Sequence, residues 1–303
     1  MTATIHVSSA ADLVAVVPQL MGFNVGDSLV VVGLNERALV GLVRFDPDTT
    51  AEVAAEAVET MARRGCGRAL VVAYGPQSAE TVGTLVQAAT AASIDVFDHG
   101  RVEAGEWISD LTGQRVAVPG FHDDLPVPAY SREALAESMA PHGTEQTEAA
   151  LEAATVPQDA QVPAAVEAWA ALLTGRAQPE TPVLATALPL LERVDYRDML
   201  AAALIRDENV LSMVENEHAP LMREALPTVT EDVLTTLRRI IYATPAKHAP
   251  NVLALAAMAH LSVGSATQAG MLTEEALKVD PSHRLSMLLR TMAEHGMALP
   301  ASA

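Results

Sequence analysis

The sequence predicts a two-part molecule: an α/β domain with a mixed sheet and flanking helices over residues 1–128, followed by an all-helical domain over 129–303. Three observations predict it. Short apolar runs alternate with segments of helical period as far as Phe97, the rhythm of strands with packing helices. Gly and Pro crowd residues 98–130 and break that rhythm. Beyond them every apolar stretch recurs at helical spacing with short polar connections, which makes neighbouring helices antiparallel.

The elements follow in order. Ile5–Val7 reads as a short strand. Ser8 or Ser9 can cap a helix from about Ala10, where Leu13, Val16, Val17 and Leu20 share a face; Pro18 should end or kink it, and Gly22 stops it. Ser28–Leu34 is a continuous apolar strand, and Asn35-Glu36-Arg37 turns it into a second strand, Ala38–Phe45, as a hairpin. Thr49 or Thr50 caps a helix to about Arg64, which Gly65-Cys66-Gly67 ends. Arg68–Tyr74 is a third strand, Ser78 opens a helix, and Ile94–Phe97 is a fourth. That strand–helix–strand unit has the size of a parallel crossover. Arg101-Val102 and Arg115–Val118 read as a β-hairpin around Leu111-Thr112-Gly113, with Trp107 between its strands.

The remainder predicts helices at 131–140, 144–155, 163–174, 182–193, 196–206, 208–215, 230–243, 248–263, 267–278 and 283–295. From Pro250 the chain fits one 34-residue tetratricopeptide unit over about 250–283. Ala256 and Ala257 fall on small-residue positions, Gly264 on the turn, Ala269 on the close contact, Ala276 near the end and Pro281 on the break. His260 and Thr273 stand where aromatics are usual.

Composition excludes several classes. The chain has 303 residues, 38 acidic against 19 basic side chains and a net charge of −19, so it lacks the cationic surface that phosphate neutralisation or anionic lipid requires. No direct nucleic-acid or membrane binding is therefore expected. No apolar run reaches spanning length and no secretory leader is apparent, so a cytoplasmic location is expected. One cysteine excludes an intramolecular disulfide or a multi-cysteine zinc site. Only two lysines, Lys247 and Lys278, stand beside the arginines, a bias that points to GC-rich coding.

One resemblance extends over nearly the whole chain. Asp12–Phe23, Asp27–Leu34 and Arg44-Phe45-Asp46 resemble the opening signature of the actinobacterial domain-of-unknown-function family 4192, found also in some phages. Later landmarks agree: Trp107 after Gly100-Arg101, Ser131–Ala136, Trp169 with Leu172-Leu173, Tyr196-Arg197-Asp198 and Asp280–Leu285. Members typically carry cysteines after the Trp of the middle hairpin, whereas Ile108–Gly120 has none. The resemblance implies a source and a fold context and brings no activity.

The candidate site residues each have a plain structural reading beside the functional one. Gly22, Phe23, Asp27 and Ser28 form a corner between a helix and a core strand: a ligand-binding corner, or a helix stop with an aromatic plug. Arg44 ends a strand and Asp46 and Asp48 follow it, where α/β folds often place function; a turn around Pro47 explains the same residues and is the favoured reading. Trp107 completes the ligand-binding candidates. Arg197, His260, His283 and Arg284 are the partner-binding candidates, with capping, salt bridging and helix joining as the alternatives. Gly65-Cys66-Gly67 follows a helix and precedes a strand, the reverse of a phosphate loop. His122-Asp123-Asp124 is too tightly spaced for a metal set and reads as a solvated loop. No nucleophile elbow or His-Glu-x-x-His is present, so no catalytic residue, metal ligand or cofactor is assigned.

The functional expectation is a binding or adaptor protein that presents its helical half to a protein partner. The alternative is a small-ligand sensor or enzyme with a cleft at the strand ends of the α/β domain. A third reading is a phage-encoded acidic protein that engages a basic host partner. A pocket with convergent polar groups such as Arg44, Asp46 and His99 would favour the second reading. An apolar patch on the helices would favour the first.

Overall fold

The computed structural model describes residues 7–36, 38–75, 79–123, 125, 127–129, 131–206 and 217–294. The chain divides into two compact units, Met1–Leu135 and Ala136–Ala303.

The first unit is built on a six-stranded mixed sheet. In chain order it contains α1 (Ala10–Met21), β1 (Ser28–Asn35), β2 (Ala38–Phe45), α2 (Ala51–Arg63), β3 (Arg68–Tyr74), α3 (Ala79–Ala91), β4 (Asp95–Glu103), β5 (Glu106–Ser109) and β6 (Arg115–Ala117). The strands lie in the order β2-β1-β3-β4-β5-β6. β1 pairs antiparallel with β2 and β3, and β3 pairs parallel with β4 through the α3 crossover. Alternate residues of the central strands serve opposite faces. Leu29, Val31, Val71 and Ala73 join Ala54, Val58, Val82 and Leu85 in one core beneath α2 and α3. Tyr74 points the other way and reaches α1.

That contact explains why Pro18 does not end α1. A proline has no N–H, so the carbonyl four residues earlier, on Val14, loses its helical donor. The Tyr74 hydroxyl donates to that carbonyl at 2.8 Å, fully buried. The helix continues to Met21 and closes on Gly22 in the left-handed conformation, φ 82°. An end at Pro18, one of the two outcomes expected there, misses a partner supplied from β3.

The stretch after Phe97 also departs from expectation. Asp95–Phe97 of the expected strand Ile94–Phe97 and Arg101-Val102 are parts of one strand, β4, and β4, β5 and β6 form an antiparallel meander where a single hairpin was expected. Trp107 lies in β5, opposite Val102 and Val116, and is buried. Two residues with positive φ, Ala104 at 50° and Gly105 at 81°, make the tight β4–β5 turn. The non-glycine at its first position disguises that turn in the sequence. Of the strand expected at 5–7, all but Val7 lies outside the described residues.

The second unit is helical. The division point falls within α4 (Arg132–Ser138). Then come α5 (Glu145–Ala153), α6 (Val162–Leu173), α7 (Thr181–Ala187), α8 (Val194–Ile205), α9 (Ala219–Ala225), α10 (Glu231–Ala243), α11 (Pro250–Ser262), α12 (Ala266–Val279) and α13 (Arg284–Glu294). The expected helix 182–193 splits after Ala187 into a 3₁₀ turn, Leu188–Glu192, where Pro189 cannot donate to the preceding turn. The expected helix 248–263 starts at Pro250, the favoured first position for proline, after a short 3₁₀ turn. Helix α9 was not expected, and the helix expected at 208–215 lies outside the described residues. Helix α11 is buried almost throughout and packs against α8, α10, α12 and α13, so it forms the axis of the unit. Trp169 on α6 donates its indole N–H to the carbonyl of Ala187 at 2.8 Å. Among the described residues no helix is long and apolar enough to cross a membrane.

Candidate functional site

A cleft of about 290 Å³ opens at the end of the sheet where β2 stops and α2 begins. Its floor is apolar, made by Leu29 of β1, Phe45 of β2, Ala54 of α2 and Leu85 of α3. Its rim is polar: Pro47, Asp48 and Thr49 from the turn after β2, and Thr81 and Thr84 from the first two turns of α3. The local sequence dictates this shape. The N–H of Thr49 bonds to the carbonyl of Asp46 at 3.0 Å to close the turn, and Thr50 caps α2 through the N–H of Val53. Thr81, Thr84 and Leu85 are spaced three and four apart, so they share one face of α3. Among the described residues the lining contains three hydroxyls and a single ionisable side chain, Asp48, and no cation or histidine. Such a site can hydrogen-bond a neutral or cationic polar molecule over an apolar base.

The sequence-predicted ligand residues stand around this sheet end without lining the cleft. Arg44 and Asp46 pair with each other at 2.7 Å. Phe23 is buried, and the corner it shares with Gly22 binds the chain itself: Asn24 donates to the carbonyl of Ala129 at 2.8 Å, and Ala129 to that of Gly22 at 2.9 Å. Ser28 is fully buried and donates to the carbonyl of Val25 at 2.8 Å. Asp27 is exposed at the surface, beside Gly75. Trp107 is core. Buried Gln19, which drew no attention in the sequence, holds the 122–125 loop by donating to the carbonyls of His122 and Leu125 and accepting from the His122 N–H. Cys66 is buried, and burial pushes its thiol above the usual range, away from nucleophilic use. Asp124 lies outside the described residues. No set of three metal-ligating side chains is found among the described residues.

Thr81 and Thr84 escaped sequence reasoning. On an amphipathic helix a threonine beside a core position looks like part of the solvated face. Asp48 was legible as a strand-end residue.

In the helical unit the structure brings two of the predicted partner-binding residues together. His283 Nε2 lies 3.0 Å from Oδ1 of Asn251, and an Arg197 guanidinium nitrogen lies 3.3 Å from the same oxygen. Arg197 also pairs with Asp198 at 2.8 Å, and Asn251 approaches Glu192 at 3.5 Å. Asn251 is the junction, and no sequence signal marked it. Arg284, next in the chain, is exposed. His260 is remote from this group in character: it is 3% exposed, and burial followed by the charge of Arg238 lowers its pKa to about 4.

A family model described as a domain of unknown function, DUF4192, matches residues 11–299. No curated protein and no solved structure matches the chain.

Proposed function

We propose, for a chain that belongs to the DUF4192 family, a binding role centred on the cleft at the strand ends of the α/β unit. The observation that carries the reading is the pairing of an apolar floor with a ring of three threonine hydroxyls and one carboxylate, in a volume of about 290 Å³. Ligand sites in α/β folds favour this end of the sheet, and small-molecule sites are concave, mostly apolar and furnished with a few polar groups. The ligand class that suits it is a small neutral or cationic molecule with one apolar face and hydroxyl or amine groups on the other. Asp48 disfavours anions. The Arg-rich, Lys-poor composition supports a GC-rich actinobacterial or phage source.

A second reading is an adaptor role for the helical unit. It is supported by the hairpin of α11 and α12, where Ala256, Ala257, Ala269 and Ala276 are all buried at the close approach, as a tetratricopeptide-like unit requires. Exposed Met287 and Leu288 on α13 and Tyr242 on α10 add apolar surface.

One experiment separates the two. The full chain is purified, screened by thermal shift against small polyols and amines, and analysed for retained metabolites and co-eluting proteins. A stabilising compound whose effect is lost in Thr84→Val and Asp48→Asn supports the cleft. Stabilisation that survives both changes, or none at millimolar compound with a specific protein co-eluting, overturns it in favour of the adaptor.

A further inference from the structure

His283 is the N-cap of α13. Its carbonyl accepts from the N–H of Met287, and its ring takes the place usually held by Ser or Asp: Nδ1 faces the main-chain N–H of Ser286 at 3.3 Å and the Ser286 hydroxyl at 2.8 Å. A main-chain N–H can only donate, so Nδ1 carries the lone pair and the ring proton sits on Nε2. That proton is given to Oδ1 of Asn251 on α11. Both ring nitrogens are thus satisfied only in the neutral tautomer.

We propose that His283 is a pH-sensitive N-cap: unprotonated, it holds α13 against α11 and α12, and protonated, it releases that helix. A proton on Nδ1 turns the acceptor into a donor aimed at a donor. The Ser286 hydroxyl can rotate away, but the Ser286 N–H cannot. The same proton sets a positive charge at the positive end of the α13 dipole. The charged groups around the ring come from three directions: Arg197 from α8, Asp280 from the end of α12 and Glu192 from the turn before α8. Burial and then Arg197 push the imidazole below its ordinary range, against the opposite pull of Asp280 and Glu192. The cap is therefore intact above the ordinary imidazole pKa and is lost as pH falls through the lowered one. Release would expose Leu289, which α13 keeps 1% exposed.

The test is hydrogen exchange on the full chain between about pH 7.5 and about pH 5, corrected for the intrinsic rate, with α6 as an internal reference. The expected result is a loss of protection of roughly five- to tenfold in residues 284–294 that α6 does not share. His283→Asn, a cap that does not titrate, should keep those amides level across the range. An equal loss in His283→Asn, a matching loss in α6, or no loss in the wild type overturns the proposal. Ring-nitrogen chemical shifts at neutral pH check it without any variant: a protonated Nδ1 would also overturn it.

Discussion

Pro18 and Tyr74 show how one missing hydrogen is repaired across the fold. Tyr74 is otherwise a core residue, yet its hydroxyl has a specific task, to satisfy the Val14 carbonyl that Pro18 leaves without a donor. Burial also raises its phenol well above the usual range, so it stays a neutral donor at all working pH values. Tyr74→Phe should strand the carbonyl and cost about 1–3 kcal/mol. Pro18→Ala restores the N–H, so in that background the same change should cost about 1 kcal/mol less. Denaturant unfolding of the four variants of this cycle gives the coupling directly. Additive costs would mean that the hydroxyl does not serve the helix.

Elements were legible where the chain speaks locally. The β1–β2 hairpin, the β3–α3–β4 crossover and most helices follow from apolar period, caps and turn residues, because those signals act over a few neighbours. What stayed hidden depends on distant partners. The continuation of α1 past Pro18 needs a tyrosine 56 positions on. The cleft needs two threonines of α3 beside a turn after β2, and Asn251 becomes a junction only once α8, α11 and α13 have packed. The meander adds a local deception, since Ala104 occupies a left-handed position without advertising it. Its tightest point is Gly100 of β4, where an added Cβ would lie 2.0 Å from the carbonyl oxygen of Ile108 on β5. That atom belongs to the backbone of a paired strand, so it cannot swing aside. Gly100→Ala should therefore cost about 2–3 kcal/mol through displaced pairing. Gly105→Ala meets open space, and its cost should be only the left-handed penalty of about 1 kcal/mol. Equal losses in the two variants, compared by thermal and denaturant unfolding, would show that the β4–β5 approach is looser than this geometry.

Over the whole molecule, acid sensitivity is unevenly distributed. His260 of α11 is the buried histidine among the described residues, with its Nδ1 unpartnered and its pKa lowered to about 4 by burial first and Arg238 second. Its ordinary value is 6.5, so below that pH the unfolded chain binds a proton that the folded chain refuses. Stability contributed by the neutral ring is thus complete above about pH 6.5 and drains away as pH falls towards about 4. At about pH 5 the loss should reach roughly 2 kcal/mol, and the cap at His283 acts in the same direction. Each unit holds one of the two tryptophans, Trp107 or Trp169, and both are buried, so fluorescence can follow the units separately. Trp107→Phe leaves Trp169 to report on the helical unit, and Trp169→Phe leaves Trp107 to report on the sheet. On acidification from about pH 7 to about pH 5 the denaturation midpoint read by Trp169 should fall further than that read by Trp107. His260→Leu removes the titrating ring together with its unpartnered nitrogen, and should reduce the Trp169 response to the smaller part that the His283 cap contributes. If the two midpoints fall together, or if His260→Leu leaves the helical response unchanged, the acid lability of the helical unit does not come from the buried imidazole of His260.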